Sequence, residues 1–356
     1  MIPSLIDLGA ILPELLIVGA ACLLLVFDPI TPSSKKDLLA WMSLGALVLC
    51  FMVTIGDLNH RVLAFSDLVI IDPYAAFWKL LLYVISGMTI LLSMTYLKEE
   101  KIELAEYYGF ILLSLAGMMI MVSGADLLTI YLGIELMSIS LYIMAGFKRF
   151  EAKSIESSAK YFILGSFSSG ILLYGISLLY GISGSTKLTD IAQAVTSRGF
   201  DDPMVLFATM FLIVGFGFKV SAVPFHMWTP DVYQGAPTSV TAFMAVASKA
   251  ASFAAFLRVL LEGFGGVKPS WQGLIVVLCI LTIALGNIVA IVQTNVKRML
   301  AYSSIAHAGY ALIGIVVAGS VANGDPIASG GVSSLMLYLA IYSFMTLGAF
   351  AIVGIL

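Results

Sequence analysis

The chain has 356 residues, of which 60% are hydrophobic and only 11% are charged, and its mean hydropathy is +1.05. Because soluble globular domains carry about 25% charged residues, this composition excludes a soluble globule and predicts a polytopic membrane protein. The formal net charge of −3 carries little information about partners, since in a membrane protein the positions of the charges matter more than their sum.

Runs of about twenty apolar residues, each long enough to cross the hydrocarbon core as a helix, predict about eleven transmembrane helices and an all-α fold class. The first run is interpreted as a retained helix and not as a signal peptide, because no Lys or Arg precedes it. In chain order the predicted helices cover 5–27, 38–56, 74–97, 107–123, 127–146, 157–182, 204–236 (broken), 238–262, 271–292, 299–318 and 334–356.

The distribution of Lys and Arg between the loops predicts the orientation. With a periplasmic N-terminus the inner loops carry more basic residues than the outer loops, which satisfies the positive-inside bias. The longer outer segment, 183–203, is rich in polar residues and is expected to be a solvated connection. The inner basic residues are Lys35, Lys36, Lys98, Lys101, Lys148, Arg149, Lys153, Lys297 and Arg298, and the outer ones are Arg61, Lys187, Arg198 and Lys268.

Several classes of site are not indicated by the sequence. Cys22, Cys50 and Cys279 stand singly in apolar runs, so no Cys-x-x-Cys or His/Cys cluster offers ligands for a metal, a haem or an iron–sulfur cluster. Phosphate-binding glycine loops, nucleophile elbows and basic patches with interleaved aromatics are missing as well. We therefore expect no redox centre, no small-molecule catalysis and no nucleic-acid partner for this chain itself.

The apolar segment 204–236 contains Pro224 and Pro230. Each proline ring removes an amide donor and blocks the hydrogen bond to the carbonyl four residues earlier, at Val220 and His226. The segment is therefore predicted to form two half-helices with a gap. Hydrocarbon cannot satisfy freed carbonyls, so such a break must face protein or trapped water, and water inside a membrane protein suggests ion movement.

Two lysines lie deep in this part of the sequence. Lys219 is one turn before the break, and Lys249 is near the middle of the next apolar run, within a stretch of small residues at 247–250. Each lysine costs roughly 3 kcal/mol or more at the bilayer centre. Snorkelling cannot relieve Lys249, which is about eleven residues from either helix end, so a role in a proton relay is the favoured interpretation.

The other intrahelical basic residues admit less specific interpretations. Lys160, near the fourth position of its helix, can snorkel to the inner surface or form an auxiliary site. Lys79 is similarly shallow on the outer side and is expected to snorkel. Arg258 and Glu262 are four residues apart on one helix and should form a local ion pair.

Glu135 is about nine residues into its helix, which at about 1.5 Å per residue places it roughly 13 Å deep. It is either a neutral carboxyl hydrogen-bonded to a hydroxyl of a neighbouring helix or the charge partner of Lys219. An opposite charge within about 4–6 Å keeps a buried lysine protonated, and withdrawing that charge favours the neutral amine. A Glu135–Lys219 pair would thus be a switch for proton release.

Four further ionisable residues lie in the predicted helices or at the break. His226, in the break, either passes a proton along water or is structural, while His307 lies deep in the tenth helix. Asp231 begins the second half-helix, where a carboxylate favours the positive end of the helix dipole, and capping is expected. Glu14 follows Pro13 in the first helix, and its role is left open.

The segment 224–251, PFHMWTPDVYQGAPTSVTAFMAVASKAA, resembles the proton-channel segment of the antiporter-like subunits of respiratory complex I. A Lys, a broken helix, His-x-Trp-x-Pro-Asp and a second Lys in this order carry the resemblance. The L and M subunits and the Mrp-type sodium/proton antiporters are similar but have Pro-Leu-His-x-Trp-Leu-Pro-Asp-Ala. The letters VPF at 223–225 and DVY at 231–233 favour the subunit N family of NADH-quinone oxidoreductase.

This resemblance implies two inverted five-helix repeats. The expected domains are an N-terminal three-helix segment 1–106, a first repeat 107–262 and a partial second repeat 263–356, which is apparently truncated because Leu356 falls in mid-helix. Glu135 stands in a Gly-Ile-Glu-Leu motif of the family. The residues that the resemblance implies for proton translocation are Glu135, Lys219, Lys249, Lys160, His226 and His307.

The implied function is that of a proton-translocating subunit of complex I in the bacterial inner membrane. NADH, FMN, iron–sulfur clusters and quinone are expected in partner subunits and no cofactor in this chain; the expected neighbours are subunits M and K, with J nearby, and the lipid bilayer. The alternative is a stand-alone or Mrp-like cation/proton antiporter. A purely structural scaffold does not explain the deep ionisable residues.

Overall fold

The computed structural model describes residues 5–32, 36–100, 102, 106–319 and 326–355, and this part of the chain is almost entirely helical. Within it, ten helical segments are long and apolar enough to cross a membrane, and Pro203–Lys219 is a shorter apolar helix. The predicted all-α polytopic fold is confirmed. Of the residues used to predict orientation and chain end, Lys35, Lys101 and Leu356 lie outside the described residues.

Each of the predicted apolar segments contains a helix, and the observed boundaries differ from the predicted ones by a few residues at most ends. The described helices and strands are α1 (Leu5–Ala10), α2 (Leu12–Phe27), α3 (Asp37–Ile55), β1 (Val62–Ala64), β2 (Val69–Ile71), α4 (Pro73–Glu99), α5 (Glu106–Ser123), α6 (Leu127–Ala145), α7 (Ala152–Ser183), α8 (Leu188–Arg198), α9 (Pro203–Lys219), α10 (Trp228–Gly235), α11 (Thr238–Phe243), α12 (Lys249–Arg258), α13 (Lys268–Ile291), α14 (Val296–Gly319) and α15 (Pro326–Ile355).

Aspartates begin three of the long helices. Asp72 Oδ1 accepts a hydrogen bond from Ala75 N at 2.7 Å at the start of α4, and Asp202 caps α9 through Met204 N. In both cases proline occupies the first helical position, where its missing N–H costs no hydrogen bond. Asp126 caps α6 in the same way, without a proline. These caps fix where the apolar runs become helical.

The chain divides into two compact units, of which the first comprises Met1–Ser158, Ala236–Ala251 and Thr346–Leu356. Here α2 to α5 pack against one another, α5 packs along α6, and α11 contacts α4 and α6. The α5–α6 contact is close, because a Cβ on Gly133 would lie 2.7 Å from the backbone of α5. Glycine at this crossing therefore lets the helix that carries Glu135 approach its neighbour.

The second unit comprises Ala159–Gly235 and Ser252–Met345. In it α13 packs along α14, and α10 packs against α14. The α13–α14 crossing again depends on glycine, since a Cβ on Gly286 would lie 2.6 Å from Ala306 N. The contact between α10 and α14 places the second half of the broken helix against α14.

The connection at 183–203 is largely accessible to solvent, as predicted, but it contains a helix, α8, that was not predicted. Leu188, Ile191 and Val195 form a buried stripe on it, and the helix packs on the segment 259–263. Gly199, with φ +78°, ends the helix in a conformation that glycine adopts without strain. Three apolar positions among many polar ones were a weaker signal than the overall polarity of the segment.

A small antiparallel hairpin also escaped prediction. β1 and β2 pair with Val62 opposite Ile71 and Ala64 opposite Val69. The turn contains three non-glycine residues with positive φ, Phe65, Ser66 and Asp67, and the Phe65 amide donates to Asp7 Oδ1 at 2.6 Å. The hairpin and α1, which contacts both strands, lie together at one end of the first unit.

Candidate functional site: a broken helix and buried charges

The predicted helix break is confirmed in the second unit. Helix α9 ends at Lys219, α10 begins at Trp228, and residues 220–227 between them are not helical. The Phe218 carbonyl at the end of α9 accepts hydrogen bonds from Ser221 N at 3.1 Å and from Trp228 Nε1 at 3.1 Å. Backbone and indole donors thus satisfy a carbonyl that is left exposed where α9 ends.

Ser221 terminates α9 in the position where glycine is most common. Its φ is +61°, its amide bonds to the Phe218 carbonyl, and the Ala222 amide bonds to the Gly217 carbonyl at 2.8 Å. This pair of bonds is a Schellman motif. The Ser221 hydroxyl accepts a 2.8 Å hydrogen bond from Thr229 Oγ1, so the strained residue also ties the end of α9 to the start of α10.

The break is held to a neighbouring helix of the same unit. The Val223 amide donates to Thr282 Oγ1 on α13 at 2.9 Å. His226 is only 7% exposed, and its carbonyl, which Pro230 cannot serve, accepts a hydrogen bond from Thr229 N at 2.9 Å. The carbonyl freed by the second proline is therefore satisfied locally, and the imidazole is buried at the end of the break.

Lys219 is 3% exposed at the last helical position of α9. Its Nζ lies 5.9 Å from the centre of the Phe218 ring, within range of a cation–π contact. A cation is also favoured at a helix C-terminus by the helix dipole. The aromatic ring and the helix dipole both favour a charged ammonium. The burial of Lys219 at the end of α9 confirms the predicted position of a buried lysine beside the break.

The Asp231 carboxylate on α10 binds two cations. Lys160 Nζ on α7 lies 2.7 Å from Oδ2, and Arg298 Nη1 on α14 lies 2.6 Å from Oδ1. Arg298 also donates to Gln234 Oε1 at 3.1 Å and to Gln293 Oε1 at 3.3 Å. Asp231 lies in the first turn of α10, where the helix dipole favours a negative charge. Its carboxylate oxygens bind the side chains of Lys160 and Arg298. Lys160 therefore has a defined partner and does not simply snorkel.

His307 on α14 faces tyrosines of α15. Its Nδ1 lies 2.6 Å from Tyr338 Oη, and the ring centres of His307 and Tyr342 are 5.0 Å apart. Tyr342 Oη donates to Ser304 Oγ at 2.8 Å one turn away. A histidine within hydrogen-bond distance of a hydroxyl can exchange a proton with it, because either ring nitrogen can donate or accept.

Lys249 belongs to the first unit and lies in the segment Thr238–Gly263, a candidate span whose 18-residue window is 100% buried inside the protein. The lysine is 2% exposed. It directly follows a π-helical turn, Met244–Ser248, and a second π-helical turn, Val259–Gly263, begins after Arg258. Such turns are frequent at functional sites. The expected Arg258–Glu262 pair is confirmed, with 2.9 Å between Nη1 and Oε1.

Glu135 on α6 is half-buried, and its Oε1 is buried without a hydrogen-bond partner among the described residues. The alternative interpretation was a neutral carboxyl that is hydrogen-bonded to a hydroxyl. Among the described residues, no hydroxyl forms such a bond with Oε1. An unsatisfied buried carboxylate oxygen is costly in a core that serves only stability. The pairing of Glu135 with Lys219 stays a prediction.

The interpretation of Lys79 as a snorkelling residue is wrong. Lys79 is 2% exposed, and its Nζ lies 2.6 Å from Glu14 Oε1 inside the first unit. Sequence reasoning had placed Lys79 near the outer end of its helix and had left the role of Glu14 open, without joining the two residues. Opposite charges in two apolar helices were the available signal, but the sequence does not indicate that these two side chains face each other.

Metal binding is not supported by side-chain placement. Within 5–32, 36–100, 102, 106–319 and 326–355, no group of three or more His, Cys, Asp or Glu side chains could hold a metal ion.

The family model and the most similar relatives that are described here point to the same family. A family model described as NADH:quinone oxidoreductase/Mrp antiporter, transmembrane, matches residues 124–356. The chain is 44% identical over 349 residues to NADH-quinone oxidoreductase subunit N of Trichlorobacter lovleyi, covering 98% of this chain and 70% of the relative. It is 45% identical over 344 residues to subunit N 2 of Rhizobium meliloti, covering 97% and 70%.

Solved structures show the same fold. The chain is similar to a chain of respiratory complex I from Thermus thermophilus with bound aureothin, at 30% identity and a TM-score of 0.79, covering 96% of this chain and 70% of that one. A chain of the Mrp complex from Dietzia sp. has a TM-score of 0.81 but 18% identity, covering 98% and 64%. At that identity the second likeness concerns the fold alone.

Proposed function

The chain belongs to the family of NADH-quinone oxidoreductase subunit N, and from this premise we propose that it moves protons through the membrane arm of complex I. Quinone reduction in other subunits supplies the energy. The single observation that carries this proposal is Lys249, which is 2% exposed directly after a π-helical turn, in a span whose 18-residue window is 100% buried. A lysine that costs roughly 3 kcal/mol or more at the bilayer centre implies a use.

Each site residue has a proposed role in this transfer. Lys249 accepts and releases a proton in the relay, and Lys219, at the helix break, is the switched lysine whose protonation Glu135 controls. His226 passes protons at the break. His307, hydrogen-bonded to Tyr338, continues the polar route, and Lys160 is an auxiliary site coupled to Asp231.

The surroundings of the chain follow from the family. We propose that it lies in the bacterial inner membrane with a periplasmic N-terminus and contacts subunits M and K, with J nearby. NADH, FMN, the iron–sulfur clusters and quinone belong to partner subunits. The domain division into 1–106, 107–262 and a partial repeat 263–356 is part of the same proposal.

A stand-alone or Mrp-like cation/proton antiporter is less supported, since the relatives at 44–45% identity carry the name subunit N. The two functions differ in their driving force. An antiporter exchanges cations in proteoliposomes that contain this chain alone, whereas a complex I subunit moves protons only in the assembled complex during quinone reduction. Cation-driven proton movement by the isolated chain would overturn the proposal.

A further inference from the structure

A buried ion pair lies in helices that precede the region matched by the family model, 124–356. Glu14 is on α2 and Lys79 on α4, and Lys79 Nζ is 2.6 Å from Glu14 Oε1. The lysine and glutamate side chains are only 3% and 7% exposed. Both helices are candidate membrane spans. The N-terminal helices therefore contain an acid–base pair of their own.

Stability alone does not account for this pair. Removing two charges from water costs several kcal/mol per ion, and replacing a buried ion pair by apolar residues of similar volume is often neutral or stabilising. Apolar side chains would also suit helices of this hydropathy. Ionisable residues retained inside membrane helices mark functional sites by default.

The surroundings allow the pair to change its protonation. Among the described residues, no hydrogen-bond donor reaches the buried Glu14 Oε2. Two other titratable side chains that interact electrostatically with both members of the pair are Cys50 and Asp57, and Tyr83 interacts with Glu14. The Cys50 thiol already donates to the Pro13 carbonyl at 3.5 Å. Oε2 therefore receives no hydrogen bond from these residues that would favour the charged form of the carboxylate.

We propose that Glu14 and Lys79 form a further proton-relay site, in addition to the residues around Lys219 and Lys249. A proton moves from Lys79 Nζ to Glu14 Oε1: the N–H bond breaks, its electron pair stays on nitrogen, and an O–H bond forms. The ion pair becomes a neutral amine and a neutral acid, a form that a low-dielectric site favours. The amine then takes a proton from water, and the acid releases its proton to water.

This inference rests on the proposed function, because quinone reduction drives the cycle, and it is tested in membranes that contain the assembled complex. A positioned acid or base contributes about 10²–10⁴-fold to the step that it serves, so Glu14→Gln should slow NADH-driven proton pumping by about tenfold or more. Glu14→Asp, which keeps the carboxyl, should restore a good part of the rate.

The double variant Glu14→Leu/Lys79→Met separates relay from structure. It contains no uncompensated buried charge, so the complex should assemble and keep its thermal midpoint even if the single variants do not. A relay site predicts that pumping is still lost. Normal pumping by the double variant overturns the inference.

Lys249→Ala serves as the reference for the proposed function. If Lys249→Ala abolishes pumping while the double variant pumps normally, only the Glu14–Lys79 inference fails. If Lys249→Ala pumps normally, the proposed function itself fails. Infrared difference spectra during turnover add an independent readout: a band of a protonated carboxyl should appear and should be missing from Glu14→Gln.

Discussion

Lys160 Nζ lies 2.7 Å from Asp231 Oδ2, which joins α7 to the second half of the broken helix. The same carboxylate binds Arg298 through its other oxygen at 2.6 Å. Both oxygens are thus occupied by cations from different helices. Because α10 has only eight residues, these contacts help to fix its position.

Lys160, Asp231 and Arg298 form a small charge network, and substitutions of Lys160 and of Asp231 should lower proton pumping to different extents. Lys160→Ala leaves the Arg298 contact in place and removes an exposed pair of about 0–1 kcal/mol, so assembly should persist and pumping should fall by a few-fold at most. Asp231→Asn weakens both contacts, and pumping should fall further. Arg198→Ala, which breaks a comparably exposed pair with Asp202, is the matched control. Equal pumping by all three variants would show that the network has no role.

Gly133 should be intolerant of even a methyl group. A Cβ there would lie 2.7 Å from Gly117 O and from Met121 N, and backbone atoms cannot move aside as side chains do. Overpacking of this kind costs about 1–3 kcal/mol. Gly133→Ala should lower the thermal midpoint and the yield of complex, whereas Gly170→Ala, with nothing within 4 Å of the added Cβ, should not. Similar midpoints for the two variants would contradict the close α5–α6 packing.

The predicted orientation can be tested with single cysteines in a Cys22→Ala background, since Cys50 and Cys279 are buried. Glu99 and Asp190 are both exposed, at the end of α4 and on α8. An impermeant thiol reagent should label Glu99→Cys only from the cytoplasmic side and Asp190→Cys only from the periplasmic side. The opposite pattern would reverse the topology proposed from the distribution of Lys and Arg.

The predicted coupling of Glu135 and Lys219 calls for a double-variant cycle. Glu135→Gln should favour the neutral form of Lys219 and thereby slow both pumping and the linked quinone reduction. Because residues of one network are not additive, Glu135→Gln/Lys219→Ala should cost less than the sum of the two single losses. Glu135→Asp should retain a good part of the activity. Normal pumping by an assembled Glu135→Gln complex would remove the switch from the account.

The membrane-spanning helices were the most predictable part of the fold. The thickness of the hydrocarbon core sets the length that an apolar run needs to span the membrane as a helix. The two prolines correctly indicated a break in the helix, which lies at 220–227. Helix α8 and the β1–β2 hairpin were missed because their apolar patterns extend over only a few residues. A stripe of three residues or a pair of three-residue strands cannot outweigh the polarity of the surrounding sequence.

Buried charges were predicted better than their partners. Depth along an apolar run marked Lys219 and Lys249, and the structure buries both. The partner of Lys79 was not predictable in this way, since distance from a helix end does not indicate which neighbouring helix a side chain faces. Arg298 was assigned to an inner loop, yet it binds Asp231 at 2.6 Å. Such contacts depend on helix packing.

Lys249 provides the most direct test of the central claim that this chain relays protons. Lys249→Ala should leave the complex assembled, because the small residues around it can close over alanine, and should abolish most NADH-driven proton pumping. Lys249→Arg should also impair pumping, since arginine effectively never releases its proton. Pumping is measured against assembly and quinone reduction in the same membranes. Loss of pumping in both assembled variants is the predicted result, and normal pumping with arginine at this position would contradict the relay.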